Sequence, residues 1–211
     1  MSIFSEISQS LQKGRVKLVT QYVQQAIDEG LPAKSILEEG LLDGMNVIGE
    51  KFKNNEIYVP EVMIAARAMN AGTALLKPFL AAQGAKSVGR VCIGTVKGDM
   101  HDIGKNLVKM MMEGKGLEVI DLGTDVTAQK FFETATENNC QVVACSSLLT
   151  TTMVAMRDVV EAFENAGKRG EVKIMVGGAP VTQTFCDEIG ADAYSPDAAS
   201  AAEAAAVFCT E

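Results

Sequence analysis

The sequence predicts a doubly wound α/β domain with a five-stranded parallel sheet over residues 89–211, preceded by an all-α four-helix-bundle domain over residues 1–85. Three observations predict it. Up to Leu80, apolar residues recur at three- and four-residue steps, the period of a helix with one buried face. From Arg90 onward, short continuous apolar runs alternate with helical stripes, as two-face-buried parallel strands alternate with crossover helices. Between Ala81 and Gly89 the stripe stops, and Gly84 and Gly89 mark the boundary.

Within the helical half, a first stripe runs through Val19, Tyr22, Val23 and Ala26. Gly30 and Pro32 mark the end of that helix and the start of the next. A second stripe carries Leu37, Leu41, Met45, Ile48 and Phe52, and Lys53 to Tyr58 is a polar turn. Pro60 suits the first turn of a helix whose stripe is Val62, Ala65, Ala66, Met69, Thr73, Leu76 and Leu80. Short-looped helices with one apolar face each assemble as a four-helix bundle. In the α/β half the strand-like runs are Arg90 to Val96, Leu117 to Leu122, Gln141 to Cys145 and Val172 to Val176, with a short one near Ala191 to Tyr194. The helical stripes between them are Ile103, Leu107, Met111; Phe131, Phe132, Ala135; and Met153, Met156, Val160, Phe163, and an Ala-rich helix closes the chain. Sheets of this kind bind ligands at the carboxyl ends of their strands, near the point where strand order reverses.

Composition narrows the function. The 211 residues carry a net charge of −8 without a Lys/Arg cluster, so a nucleic-acid partner is not expected. No apolar run is long enough to span a bilayer, and the polar start from Met1 to Gly14 lacks a signal-peptide core. The expectation is a cytoplasmic protein with no membrane partner. Cys92, Cys140, Cys145, Cys186 and Cys209 form no CxxC pair and read as buried reduced thiols rather than disulfides or a zinc site. The eleven methionines read as core packing.

The informative segment is Gly98-Asp99-Met100-His101-Asp102-Ile103-Gly104-Lys105-Asn106, at the carboxyl end of the first strand. His101 is the only histidine, in a glycine-bracketed loop with Asp99 and Asp102 beside it. A loop imidazole without a task is the plain alternative. A bare catalytic metal ion usually takes three protein ligands, and a structural zinc four. A metal that arrives inside a macrocycle needs only one axial ligand, which a lone histidine supplies, with a nearby Asp fixing its tautomer. A phosphate loop fails on detail, because Gly98 and Gly104 are one residue too far apart and Asn106 stands where Ser or Thr should hold magnesium.

Asp99-x-His101-x-x-Gly104, then Ser146-x-Leu148, then Gly177-Gly178 resemble the cobalamin-binding signature of cobalamin-dependent methionine synthase, some cobalamin mutases and small corrinoid proteins of methyltransferase systems. The helical half resembles the same family in Gly44-Met45-Asn46-Val47-Ile48-Gly49 through Phe52 and in Tyr58-Val59-Pro60-Glu61-Val62. A helical cap points to methyl transfer rather than mutase chemistry.

The resemblance implies a cobalamin-type corrinoid cofactor with His101 as lower axial ligand to cobalt, displacing the cofactor's nucleotide base. It implies that Asp99 holds the far side of the imidazole and that Thr152, at a position where the family has serine, continues the hydrogen-bond chain. Gly98, Met100, Asp102, Ile103 and Gly104 belong to the same binding loop. Ser146, Leu148 and Thr150 would line the slot for the nucleotide tail, Gly177 and Gly178 would let backbone approach it, and Tyr194, Ser195 and Asp197 would close it. Phe52, Val59 and Val62 would cover the upper, methyl-bearing face, and the segment near Gly84 and Gly89 would be the hinge that lets partners in. The implied role is a methyl carrier, non-catalytic alone, that accepts a methyl group on cobalt(I) and passes it on as methyl-cobalt(III). The implied partners are a donor-specific methyltransferase, a second methyltransferase that hands the methyl to a pterin or thiol, and a reductive activator. A cobalamin-dependent sensor and a flavodoxin-like electron carrier are the alternatives from other classes.

Overall fold

The computed structural model describes residues 2–82 and 87–210. Its contacts separate into two compact units, Met1–Lys86 and Ser87–Glu211. Gly84, within the expected hinge, lies outside the described residues.

The first unit is helical throughout. It comprises α1 (Ile3–Gln12), α2 (Val16–Asp28), α3 (Ala33–Ser35), a π-helical stretch Ile36–Leu42, α4 (Asp43–Lys53) and α5 (Val59–Ala82). The α3, π and α4 segments follow one another without a break, so the described residues form four rods. Gly30, at φ +76°, ends the second rod, and Pro32 opens the third. Ile7, Leu11, Val19, Val23, Leu41 and Leu76 are fully buried between the rods. The stripe expected to begin at Leu37 instead buries Ile36 and Gly40, with Leu37 half-buried. A π turn holds more residues than an α turn, and this displaces the apolar face by one position.

The second unit holds the parallel sheet that the apolar runs predict. Its strands are β1 (Arg90–Thr95), β2 (Glu118–Asp121), β3 (Val142–Ser146), β4 (Lys173–Gly177) and β5 (Ala193–Ser195), in the order β2-β1-β3-β4-β5. Every pairing is parallel. Its helices are α6 (Ile103–Gly114), α7 (Ala128–Glu137), α8 (Val154–Asn165), α9 (Gln183–Glu188) and α10 (Ala198–Phe208). The apolar pattern does not reveal α9, because six residues are too few to show a helical stripe. Residues of α7, α8 and α9 cover one face, where Phe131, Val143, Met156, Phe163 and Ile174 form a buried core. On the other face α6 and α10 pack together against the strands.

The strand order positions the site. β1 pairs with β2 on one side and with β3 on the other, so the chain reverses its direction of winding between them. The loops that leave β1 and β3 therefore rise side by side at the carboxyl edge of the sheet.

The ring of Phe131 lies directly on β1, where a Cβ on Gly94 would come within 2.8 Å of it. Phe131→Ala is expected to lower unfolding free energy by about 3–5 kcal/mol, read from the urea midpoint. A loss below about 1 kcal/mol, the range of a solvent-facing position, would contradict this account of the core.

Candidate functional site

The site is organised by the loop between β1 and α6. Gly98 turns the chain at φ +84°, a conformation that suits glycine. The next residue, Asp99, is fully buried. Its Oδ1 accepts the His101 backbone N–H at 3.0 Å and lies 2.7 Å from His101 Nδ1. Its Oδ2 accepts the Leu148 N–H at 2.7 Å, the Leu149 N–H at 3.3 Å and the Thr152 hydroxyl at 3.0 Å. Burial alone would raise the Asp99 pKa, but the backbone bonds from His101 and Leu148 and the side-chain bonds from His101 and Thr152 outweigh it. They hold the carboxyl well below the ordinary carboxylate range. The stability this contributes is complete above the unfolded carboxyl's pKa and is lost as pH falls toward the lowered folded value.

An ionised carboxylate only accepts, so the proton in the bond to His101 sits on Nδ1. In the neutral ring this leaves the lone pair on Nε2. The side chain is 52% exposed, and among the described residues Nε2 has no protein partner. The His101 carbonyl accepts the Thr95 hydroxyl at 2.8 Å, which fixes the loop to the end of β1. On the far side, Asp125 in the β2–α7 loop accepts the Gly98 N–H at 2.7 Å and donates its own N–H to the Asp99 carbonyl at 3.0 Å.

Because the Thr152 proton goes to Asp99, Thr152 Oγ1 is left as an acceptor for the Ser147 hydroxyl, 2.8 Å away. His101, Asp99, Thr152 and Ser147 thus form one chain of hydrogen bonds. Ser147, like Thr152, is buried. In the sequence Ser147 is the variable residue of Ser146-x-Leu148; its only signal is a hydroxyl next to a motif serine.

A slot of about 310 Å³ opens beside this loop between α6, α10 and the strand ends. Gly104, Ser146, Gly177, Gly178, Ser195 and Asp197 line it. Leu148 and Thr150 do not: both are exposed on the β3–α8 loop, and Leu148 enters the site through its backbone N–H. Tyr194 does not line the slot either. Side chains alternate across a strand, so Tyr194 packs on the core under α7 to α9 while Ser195 takes the slot side. Gly178 owes its lack of a side chain to the protein itself, because a Cβ there would lie 1.9 Å from the Ser147 carbonyl oxygen. Gly104, by contrast, has nothing within 4 Å of its Cβ position.

Lys105, which the sequence offered as half of a phosphate motif, is buried with its Nζ 2.5 Å from Asp121 Oδ1 and 2.8 Å from Asn106 Oδ1. Asp121 therefore engages this ammonium at the end of β2. Met100, Ile103, Leu148, Leu149 and Val154 are exposed apolar side chains at the carboxyl edge, and Asp102 accepts from Asn106. In the helical unit Phe52 and Val59 are half-buried and Val62 is fully buried.

A doubly wound sheet with one outward imidazole at its switch point, beside a mostly apolar slot, has the features of a binding module for a ring-held metal cofactor. The comparisons with known proteins define the class. A B12 binding domain model matches residues 89–206, and a second B12 binding domain model matches residues 3–77. A corrinoid protein of Desulfitobacterium hafniense is 39% identical over 97% of this chain and 96% of its own. Dimethylamine corrinoid protein 3 of Methanosarcina acetivorans is 41% identical over 94% of this chain and 93% of its own. The solved methanol:cobalamin methyltransferase complex of Methanosarcina barkeri matches with a TM-score of 0.88 at 29% identity, covering 99% of this chain and 80% of that one. The chain belongs to the B12-binding corrinoid protein family, and its cofactor is a corrinoid.

Gly178→Ala is expected to displace the Ser147 carbonyl and pull the Leu148 N–H off Asp99. The cofactor-free protein should lose at least about 2 kcal/mol in denaturant unfolding, with faster amide exchange at Leu148. Unchanged stability and exchange would show that the loop does not depend on this close approach.

Proposed function

We propose that this chain is the methyl-carrying corrinoid protein of a methyltransferase system, with His101 as the lower axial ligand to cobalt. One observation carries the reading: Nδ1 is tied to a buried carboxylate while Nε2, on a half-exposed ring, has no partner among the described residues. Among the described residues, no three His, Cys, Asp or Glu side chains gather into a metal-ion site. The loop thus offers a single nitrogen, the donor set that a metal already held in a ring requires.

A bound corrinoid supplies a cobalt that takes up a methyl group and gives it up again. The chain's own residues orient and hold. Asp99 keeps the Nδ1 proton in place and aims the ring, Thr152 and the Leu148 and Leu149 N–H groups supply donors to its carboxylate, and Ser147 bonds to Thr152 in turn. The slot lined by Gly104, Ser146, Gly177 and Gly178 takes the displaced nucleotide tail. The exposed Met100, Ile103 and Leu148 give the corrin ring apolar surface to rest on.

On this reading the chain is a carrier and catalyses nothing alone. It serves a donor-specific methyltransferase and then a second one that passes the methyl to a pterin or thiol, with a reductive activator as third partner. The names of its relatives support the setting, since they include a dimethylamine corrinoid protein and a methanol:cobalamin methyltransferase complex. The donor is read by the partner, so these residues do not choose it.

Two substitutions test the reading. His101→Ala, reconstituted with cobinamide, which has no nucleotide base, should lose the absorption spectrum of a nitrogen-ligated cobalt; an unaltered spectrum would overturn the ligand assignment. Gly104→Ala fills open space in the slot. It should leave cofactor-free stability unchanged or raise it by up to about 1 kcal/mol, as alanine favours a helix over glycine. It should nonetheless weaken cobalamin retention, and retention equal to the parent would place the tail elsewhere.

A further inference from the structure

The β2–α7 loop carries no motif residue, yet it holds the His101 loop at two points. Asp125 Oδ1 accepts the Gly98 N–H at 2.7 Å, and the Asp125 N–H donates to the Asp99 carbonyl at 3.0 Å. To make both bonds, Asp125 adopts φ +55°, a left-handed conformation that side chains other than those of Asp and Asn rarely take. The loop itself is anchored to β1 by Val126 N–H to Thr95 O at 2.9 Å and Thr95 N–H to Gly123 O at 2.9 Å.

The other ties to the backbone of the His101 loop and to the Asp99 carboxylate come from its own strand and from the other neighbour. Thr95 holds the His101 carbonyl, and the β3–α8 loop holds the Asp99 carboxylate. The Asp125 clasp is the backbone tie from the β2 side, where the Thr124 hydroxyl also makes a long contact to Met100 Sδ at 3.9 Å. Without it, Gly98 and the Asp99 carbonyl lose their partners, and the turn that aims the imidazole is restrained from one side.

We infer that Asp125 is a positioning residue for His101, clasping the Gly98–Asp99 peptide so that the imidazole is held ready for cobalt before the corrinoid arrives. The inference rests on the proposed ligand role of His101. Asp125 is solvent-exposed, and its carboxylate bond is to backbone, so it acts through the loop and touches no cofactor.

The test uses the full chain reconstituted with cobinamide, a corrinoid that lacks the nucleotide base and so brings no nitrogen ligand of its own to the lower face, and reduced by one electron to cobalt(II). Electron paramagnetic resonance then shows nitrogen hyperfine splitting only when the imidazole is bound. Asp125→Gly keeps the left-handed backbone and deletes the acceptor. It should shift the ratio of ligated to unligated cobalt about tenfold toward unligated, the effect of losing one charge-assisted hydrogen bond. Asp125→Asn keeps an acceptor oxygen without the charge and should bring the ratio back to within about threefold of the parent. Parent-like splitting in Asp125→Gly, or failure of Asp125→Asn to rescue it, overturns the role of the carboxylate. If splitting persists in His101→Ala, the ligand assignment itself fails. If it vanishes there and stays complete in Asp125→Gly, only the role of Asp125 fails. Should Asp125→Gly not fold, the Asp125→Asn comparison still decides: loss of splitting in a folded Asn variant contradicts an acceptor role.

Discussion

The site depends on one buried anion. A carboxylate without access to water is costly unless donors surround it, and Asp99 collects donors from His101, Leu148, Leu149 and Thr152. Those donors come from two loops that are about fifty residues apart in the chain, a separation that the parallel winding of the sheet closes. β1 and β3 are hydrogen-bonded neighbours, with Thr95 opposite Ser146, so the residues that follow each strand arrive at the same height. Removing the charge would leave several N–H and O–H groups without a partner. Removing the loops would leave the charge without solvation. Each requires the other, which gives the region a single geometry.

That dependence explains what was legible in the sequence. Apolar runs and stripes report burial directly, so the alternation of strands and helices and three of the four helical rods can be read from residue order, whereas α1 shows no long stripe. The His101 loop stands out in the sequence because it follows the first strand and holds the lone histidine. Ser147 and Asp125 were not legible, because their roles come from hydrogen bonds set by the winding of the sheet, and neither residue type stands out in a polar loop. Tyr194 illustrates a different limit. β5 has three residues, too few for alternation to reveal which face is which, so the sequence places the aromatic residue at the strand end without deciding its side. The π stretch escaped detection for a similar reason: apolar residues at Leu41, Met45 and Ile48 fit an ordinary helix, and the displacement appears only at Ile36 and Gly40.

Glycines in one signature can answer to different physics. At Gly178 the missing side chain is filled by the protein's own backbone, so this glycine belongs to the architecture of the Asp99 cage. At Gly104 the space is open toward the slot, so this glycine leaves room that the folded chain does not use. Lys105, next to it, is engaged by Asp121, and Lys109 approaches the same carboxylate at 3.3 Å. The positive charge near the slot is therefore balanced within the protein and does not mark it as a phosphate site.

The arrangement also bears on how ligation can be reversible. The bonds that shape the His101 loop use backbone groups, the Asp99 carboxylate, the Thr95 hydroxyl and His101 Nδ1. None uses Nε2. On the proposed function, Nε2 could bind or release a metal without breaking a bond within the protein, and the loop would keep its shape. A ligand nitrogen that also served the fold would couple each release to a local unfolding cost. With Nδ1 committed to structure and Nε2 left out of it, the fold would place no cost of its own on forming or breaking such a bond.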